Sequence, residues 1–169
     1  PVSVPLIEPV DMIQDVFRGT HLNIADSDVH LSIAEMENIL AVIDIADKTR
    51  QHACAMLELI LAAESKIHGT AREELHLHEL SSIDTLIDLL CVAAGIEYFG
   101  IERVFCGPVP CGRGTIKTAH GIIPNPPPVT LEILSGCHLV FYDEPLELTT
   151  PTGAAIVKHY PRQEKSVPP

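Results

Sequence analysis

The residues with the clearest chemistry are two histidines, His76 and His78, followed directly by Glu79. Side chains at i and i+2 of an extended backbone lie on the same side, so the two imidazoles can chelate one metal ion. Glu79 or an aspartate from the next helix would complete a nitrogen and oxygen ligand set suited to nickel, zinc, manganese or iron, and His120 is the best remote ligand. On spacing alone, histidines that face solvent or only form hydrogen bonds are the more frequent case.

A second set of candidate ligands lies on the strongly apolar helix predicted from about residue 83 to residue 96. Apolar side chains surround nearly its whole circumference, which predicts a buried helix. A single stripe at helical spacing is different and contains Ser81, Asp84, Asp88, Cys91 and Gly95. Buried carboxylates need cations, hydrogen-bond donors or a metal ion, so Asp84 and Asp88 are candidate ligands. Charges that favour the helix N-terminus are the alternative, with at least equal weight for Asp84.

Two glycine-containing segments are candidates for binding a phosphate: Gly112, Arg113 and Gly114, and Thr150, Thr152 and Gly153. Glycines allow backbone N–H groups to approach an anion, and Arg113 can bind a phosphate with two hydrogen bonds. Thr150 or Thr152 would cap the last helix, whose free N–H groups and dipole favour an anion. Capping, and a simple hairpin turn, explain the same residues equally well. Neither segment is a Walker loop, so a nucleotide triphosphatase is not indicated.

Length and composition predict a single domain over residues 1–169 with a frayed tail at 162–169. The chain is 46% hydrophobic and 4% aromatic, which indicates an aliphatic core. A net charge of −12 without clustered basic residues argues against a nucleic-acid partner. No long apolar run or signal peptide is present, so we expect a cytoplasmic protein without a membrane partner. Five cysteines without a CxxC motif argue against a disulfide framework, although Cys106 or Cys111 beside His120 could bind a soft or borderline metal.

Hydrophobic periodicity and capping signals predict an α+β fold, in which a helical hairpin and the buried helix pack on a small mixed or antiparallel sheet. The predicted helices cover residues 32–43, 47–69, 83–96, 129–134 and 150–159, and the predicted strands cover 102–109, 114–123 and 138–142. We expect the first two of these strands to form a hairpin around the turn that contains Gly112 and Gly114. Little is assigned to the first thirty residues.

Seven motifs resemble, in order, those of the LarC-type nickel insertion proteins, which help to make the nickel-pincer nucleotide cofactor of lactate racemase. They are AESKIHG at 63–69, HLHEL at 76–80, IDTLID at 83–88, PVPCGRG at 108–114, AHGIIP at 119–124, PPPVTLEILSG at 126–136 and TPTGAA at 150–155. Three departures are the serines at 81–82 where Gly-Ala is usual, Cys111 where an aliphatic residue is common, and a missing Gly/Ser-rich Asp-Met segment at the start. The region associated with CTP is missing too. We therefore expect a portion of a longer family architecture or a short relative, unable to complete the reaction alone, and another chain that carries the missing segments is one candidate partner.

The resemblance implies nickel insertion into a pyridinium-3,5-bisthiocarboxylic acid mononucleotide, a lyase-type chelatase or cyclometallase reaction. It also implies that the complete protein consumes CTP with Mn²⁺ or Mg²⁺. Nickel would bind at His76 and His78 with Glu79 or His120, while Arg113 and the helix start at Thr152 and Gly153 would hold the substrate phosphate. One alternative is a non-catalytic module that delivers nickel to a partner. Another treats the histidines as structural and the proline-rich segment as an interaction surface. Either is compatible with an oligomer.

Overall fold

Five helices and four two-stranded sheets make up the part of the chain that the structure describes. The structure is a computed structural model that describes residues 7–14, 16–24, 29–75, 77, 79–118, 121–160 and 162–163, without the side chains of Ile7, Ile24, Glu79, Arg162 and Gln163. The helices are α1 (Ile33–Val42), α2 (Asp47–His68), α3 (Ile83–Tyr98), α4 (Pro128–Ile133) and α5 (Pro151–His159). The strands are β1 (Ile7–Gln14), β2 (Phe17–Ile24), β3 (Phe105–Cys106), β4 (Val109–Cys111), β5 (Thr115–Thr118), β6 (Gly121–Pro124), β7 (Leu139–Phe141) and β8 (Arg162–Gln163). The predicted α+β class is confirmed.

Local sequence signals set the ends of the first two helices, as predicted. The Ser32 hydroxyl accepts a hydrogen bond from the Glu35 N–H, and the Glu35 carboxylate accepts one from the Ser32 N–H at 2.8 Å. The Ser32 hydroxyl also donates to the Glu35 carboxylate at 2.7 Å, and this hydrogen bond, followed by the one from the Ser32 N–H, lowers the pKa of the Glu35 carboxyl. Helix α2 ends at Gly69, whose φ of 64° is a left-handed conformation that favours glycine. The capping box and the glycine cap together confirm the predicted boundaries of the helical hairpin.

The core is helical and is centred on α2, which packs against the other four helices. Three α2 side chains, Ala53, Met56 and Ile60, are fully buried and contribute one face of this core. Helix α3 contributes Leu86 and Leu89 to the same aliphatic interior. No helix among the described residues is long and apolar enough to cross a membrane.

The predicted hairpin between residues 102–109 and 114–123 is wrong, because the observed strands pair with other partners. Strand β4 pairs in parallel with β7, β3 pairs in parallel with β8, and β5 pairs antiparallel with β6. The Val109 N–H donates to the His138 carbonyl at 2.8 Å, whereas Pro110 beside it has no N–H to donate. Because residues 108 and 110 are prolines, only every second residue of this segment has an N–H group to donate. These N–H groups face β7, which is distant in sequence. The β1 and β2 hairpin, where sequence assigned little, is antiparallel.

A histidine pair connects the first turns of α2 with the last turn of α5. Nδ1 of His52 and Nε2 of His159 lie 2.8 Å apart, and the rings meet edge to face. A hydrogen bond at this distance needs one nitrogen with a proton and one without, so both rings cannot be fully protonated and keep it. Burial, and then the charge of His52, lower the pKa of His159 from its ordinary 6.5. The junction between the two helices therefore favours the neutral form of His159.

We expect the free energy of unfolding to fall as the pH drops below 6.5, because the unfolded chain then binds more protons than the folded one. The slope for this one group is at most about 1.4 kcal/mol per pH unit. Urea unfolding of the parent and of His159→Gln between pH 7.5 and pH 5.5 measures it, and the variant should show the smaller decline. His21→Gln on strand β2 is the control, since its side chain is exposed. An unchanged slope in His159→Gln would contradict this account.

Candidate functional site

A cleft of about 390 Å³ lies where the C-terminal end of α2, the first turns of α3, the β5 and β6 hairpin and the starts of α4 and α5 meet. Its apolar wall includes Ile116, Ile123 and Pro127. Its polar side chains are Glu64, His68, Asp84, Thr85, Asp88, Thr118, Glu147, Thr150 and Thr152. Four of these are carboxylates, and none of the described lining residues is lysine or arginine. The cleft therefore favours a cation over an anion.

Helix α3 places Asp84 and Asp88 one turn apart on the face that lines the cleft. The opposite face carries Leu86, Leu89 and Ala93, which are buried against the other helices. The expectation that the two carboxylates are buried is wrong, because both side chains are exposed to solvent at the open cleft. Water can solvate these carboxylates, so their placement does not demand a counter-ion, although it leaves them accessible to one.

The predicted cap of the last helix also lies in the cleft and contacts α3. The Thr150 hydroxyl accepts a hydrogen bond from the Gly153 N–H at 3.1 Å and so caps α5. The hydroxyl oxygens of Thr150 and Thr152 are 3.0 Å apart, and the Thr152 hydroxyl donates to Oδ2 of Asp88 at 3.1 Å. The structure thus brings together Asp88, which the sequence analysis assigned to a metal, and Thr150 and Thr152, which it assigned to a phosphate.

Glu64 and His68 lie one turn apart at the end of α2. His68 Nε2 and Glu64 Oε2 are 3.0 Å apart, and both residues line the cleft. The sequence prediction missed this pair, although its spacing of four on a predicted helix was a usable signal. Glu147 was missed as well, because it lies in a loop without any periodic pattern. Of these three residues, Glu64 and Glu147 add to the acidic character of the cleft.

The histidines of the predicted nickel site lie outside the described residues: His76, His78 and His120. The Glu79 backbone opens a short 3-10 turn, and its side chain is likewise outside the description. Leu77, which separates the two histidines in sequence, is buried and lines the cleft. Within the described part of the chain, no three histidine, cysteine or acidic residues cluster closely enough to hold a metal ion.

The other predicted phosphate-binding segment, residues 112–114, does not line the cleft. Gly112 is buried against the backbone of the loop at 144–146. The Arg113 N–H donates to the Glu144 carbonyl at 2.9 Å, and its exposed guanidinium lies over the Phe141 ring. The structure therefore separates Arg113 from Thr150 and Thr152. The buried Cys111 thiol has a raised pKa because of desolvation, which disfavours the thiolate form that binds metals.

The fold and the cleft define a class: an α+β protein with an acidic cleft that is open to solvent. Within this class, the family model for nickel insertion proteins matches residues 7–169, and the chain belongs to this family. A pyridinium-3,5-bisthiocarboxylic acid mononucleotide nickel insertion protein from Desulfitobacterium hafniense (strain DSM 10664 / DCB-2) is 35% identical over 154 residues. That match covers 90% of this chain and 38% of the relative.

Relatives from other bacteria give the same result. Proteins with the same name from Geobacillus kaustophilus and Staphylococcus saprophyticus are 35% and 36% identical over 147 and 140 residues. These matches cover 87% and 83% of this chain, and 36% of each relative. The chain therefore spans well under half the length of the relatives it matches. No solved structure matches the chain.

Proposed function

We propose that this chain supplies the nickel-binding part of a protein that inserts nickel into a pyridinium-3,5-bisthiocarboxylic acid mononucleotide. The observation that carries the proposal is the acidic cleft, because Asp84, Asp88 and Glu147 line it together with Leu77 of the HLHEL motif. Membership in the nickel insertion protein family supports the identity of the metal. Nickel is here a substrate that passes through the site, so the ligands must bind it and also release it.

The proposed ligand set combines imidazoles with carboxylates. Imidazole nitrogen suits Ni²⁺, and carboxylate oxygens complete its coordination without the near-irreversible affinity of several thiolates. We assign His76 and His78 as the principal ligands, with Asp88, Asp84, Glu79 and His120 as the further candidates. The carboxylates of the cleft also raise the local concentration of a divalent cation before it is bound.

The organic substrate would occupy the apolar side of the same cleft. Ile116, Ile123 and Pro127 offer a surface on which a flat ring can pack. Its phosphate would lie toward the N-terminal end of α5 beside Thr150 and Gly153, where helix N–H groups favour an anion, and a cation bound at the neighbouring Asp88 would offset the repulsion from that carboxylate. Arg113 and the turn glycines Gly112 and Gly114 remain phosphate candidates only for a substrate that extends beyond the cleft.

For the complete protein we propose a nickel chelatase of the lyase type that consumes CTP with Mn²⁺ or Mg²⁺. The alternative for this chain is a module that binds nickel and delivers it to a partner without turnover. The two differ in one measurement. With CTP, Mn²⁺ and the segments that the chain lacks relative to the family, the nickel-loaded chain forms metallated product over many turnovers in the first case, whereas in the second it gives up one bound nickel per chain to a partner.

Nickel binding to the metal-stripped chain, followed by calorimetry, tests the proposal. We expect the parent to bind Ni²⁺ and His76→Ala/His78→Ala to bind it at least about 100-fold more weakly, since even the residues behind metal ligands are worth 10–100-fold. His21→Ala is the matched control, an exposed histidine on strand β2. Equal affinity of the double variant and the parent would remove the two histidines from the site. A parent that binds no nickel would refute the proposed function of this chain.

A further inference from the structure

A chain of hydrogen bonds runs in one direction from helix α5 to Asp88. The Gly153 N–H can only donate, so the Thr150 hydroxyl oxygen accepts from it at 3.1 Å. At the other end, the Thr152 hydroxyl donates its single hydrogen to Oδ2 of Asp88 at 3.1 Å. Between the two threonines, at 3.0 Å, Thr150 must therefore be the donor and Thr152 the acceptor. Each donor in this series of hydrogen bonds therefore has one acceptor, and the last acceptor is the Asp88 carboxylate in the cleft.

Capping of α5 does not require the Thr152 hydroxyl, because Thr150 already caps that helix. Thr152 is only 8% exposed, so packing around it restricts the rotamers of its side chain. Asp88, by contrast, is exposed on α3 and would otherwise sample several rotamers. The contact therefore orders the mobile carboxylate more than it anchors the helix that donates the hydrogen bond.

We propose that Thr152 is a positioning residue that fixes the Asp88 carboxylate as a cation ligand of the cleft. The inference rests on the proposed function, in which Asp88 binds nickel. A hydrogen bond to Oδ2 leaves Oδ1 to face the metal and removes part of the entropy cost of ordering the side chain on binding. Carboxylates that bind metals are commonly held by such a hydrogen bond, and its loss weakens metal binding 10–100-fold.

The test is a nickel titration by calorimetry of five proteins: the parent, Thr152→Val, Thr152→Ser, Asp88→Asn and the double variant Thr152→Val/Asp88→Asn. Valine keeps the shape of threonine and removes the hydroxyl, whereas serine keeps the hydroxyl. We expect about tenfold weaker binding by Thr152→Val, and affinity within about twofold of the parent for Thr152→Ser. In the Asp88→Asn background, Thr152→Val should produce no further loss, because its effect acts through the carboxylate.

Several outcomes would overturn the inference. Parent affinity in Thr152→Val would show that Asp88 needs no positioning, and a loss that persists in the Asp88→Asn background would show that Thr152 acts through the fold. Parent affinity in Asp88→Asn would remove Asp88 from the ligand set and leave the histidine assignment standing. Absence of nickel binding by the parent is a different failure, since it refutes the proposed function itself. Thermal unfolding midpoints of all five proteins show that the compared variants are folded.

Discussion

Gly112→Ala is expected to destabilise the protein by about 3 kcal/mol or more, as measured by urea unfolding at neutral pH. A Cβ at this position would collide with the carbonyl oxygens of Leu146 and Glu144 and with the side-chain amide of Asn125, the Glu144 oxygen lying at 2.7 Å. Two of these atoms belong to backbone, so they cannot move aside as the tip of a long side chain would. The loop would have to leave the position that it now occupies.

Gly114→Ala is the matched control, two residues further along the same motif. Gly114 has a φ of +86°, and a Cβ there would meet no atom within 4 Å. Its substitution costs backbone strain alone, about 1–2 kcal/mol. Similar losses in the two variants would contradict the packing argument for Gly112.

The close packing of Gly112 has a consequence for the cleft. The loop at 144–146 that covers this glycine leads directly to Glu147, which lines the cleft, and on to the cap of α5 at Thr150. Asn125 strengthens the same contact, because its side-chain amide donates to the Leu146 carbonyl at 2.8 Å. Gly112 thus helps to set the position of the N-terminal end of α5, although it does not itself line the cleft.

The helices could be predicted from the sequence because their signals are local. Ser32 with Glu35, Gly69 and Thr150 each fix a helix end through atoms within a few residues. The strands could not be paired from the sequence, since β4 finds its partner at β7, across a connection that contains α4. Residues 109–111 contain one proline and alternate in burial, which fits either an antiparallel or a parallel neighbour.

The candidate site could be predicted only in pieces. Helical spacing correctly placed Asp84 and Asp88 on one face, and the capping pattern singled out Thr150 and Thr152. That these two pairs share a cleft depends on how α3 and α5 pack around α2, which no local pattern encodes. Glu147 carries no signal at all, because its place in the cleft follows from the path of an irregular loop. His76, His78 and His120 remain predictions.

Leu89→Ala is expected to lower the free energy of unfolding by about 2–5 kcal/mol. Leu89 is 0% exposed on the inner face of α3, where that helix packs on α2. Removing three carbon atoms there loses their transfer free energy and leaves a cavity that neighbouring helices can fill only by moving. Urea unfolding at neutral pH measures the loss, and Leu131→Ala on α4 is the control because Leu131 is 38% exposed. Its loss should stay within about 1 kcal/mol.

The same variant separates the two faces of α3. Asp88 precedes Leu89 in sequence and points to the cleft, where the Thr152 hydroxyl holds it from α5. The apolar face and the hydrogen bond therefore act on one helix from opposite sides. If the apolar contacts set the helix position, Leu89→Ala should lower stability and also weaken nickel binding at Asp88. If the hydrogen bond from Thr152 alone sets the position of Asp88, the folded Leu89→Ala variant should bind nickel with the affinity of the parent. A stability loss no larger than that of Leu131→Ala would contradict the assignment of Leu89 to the core.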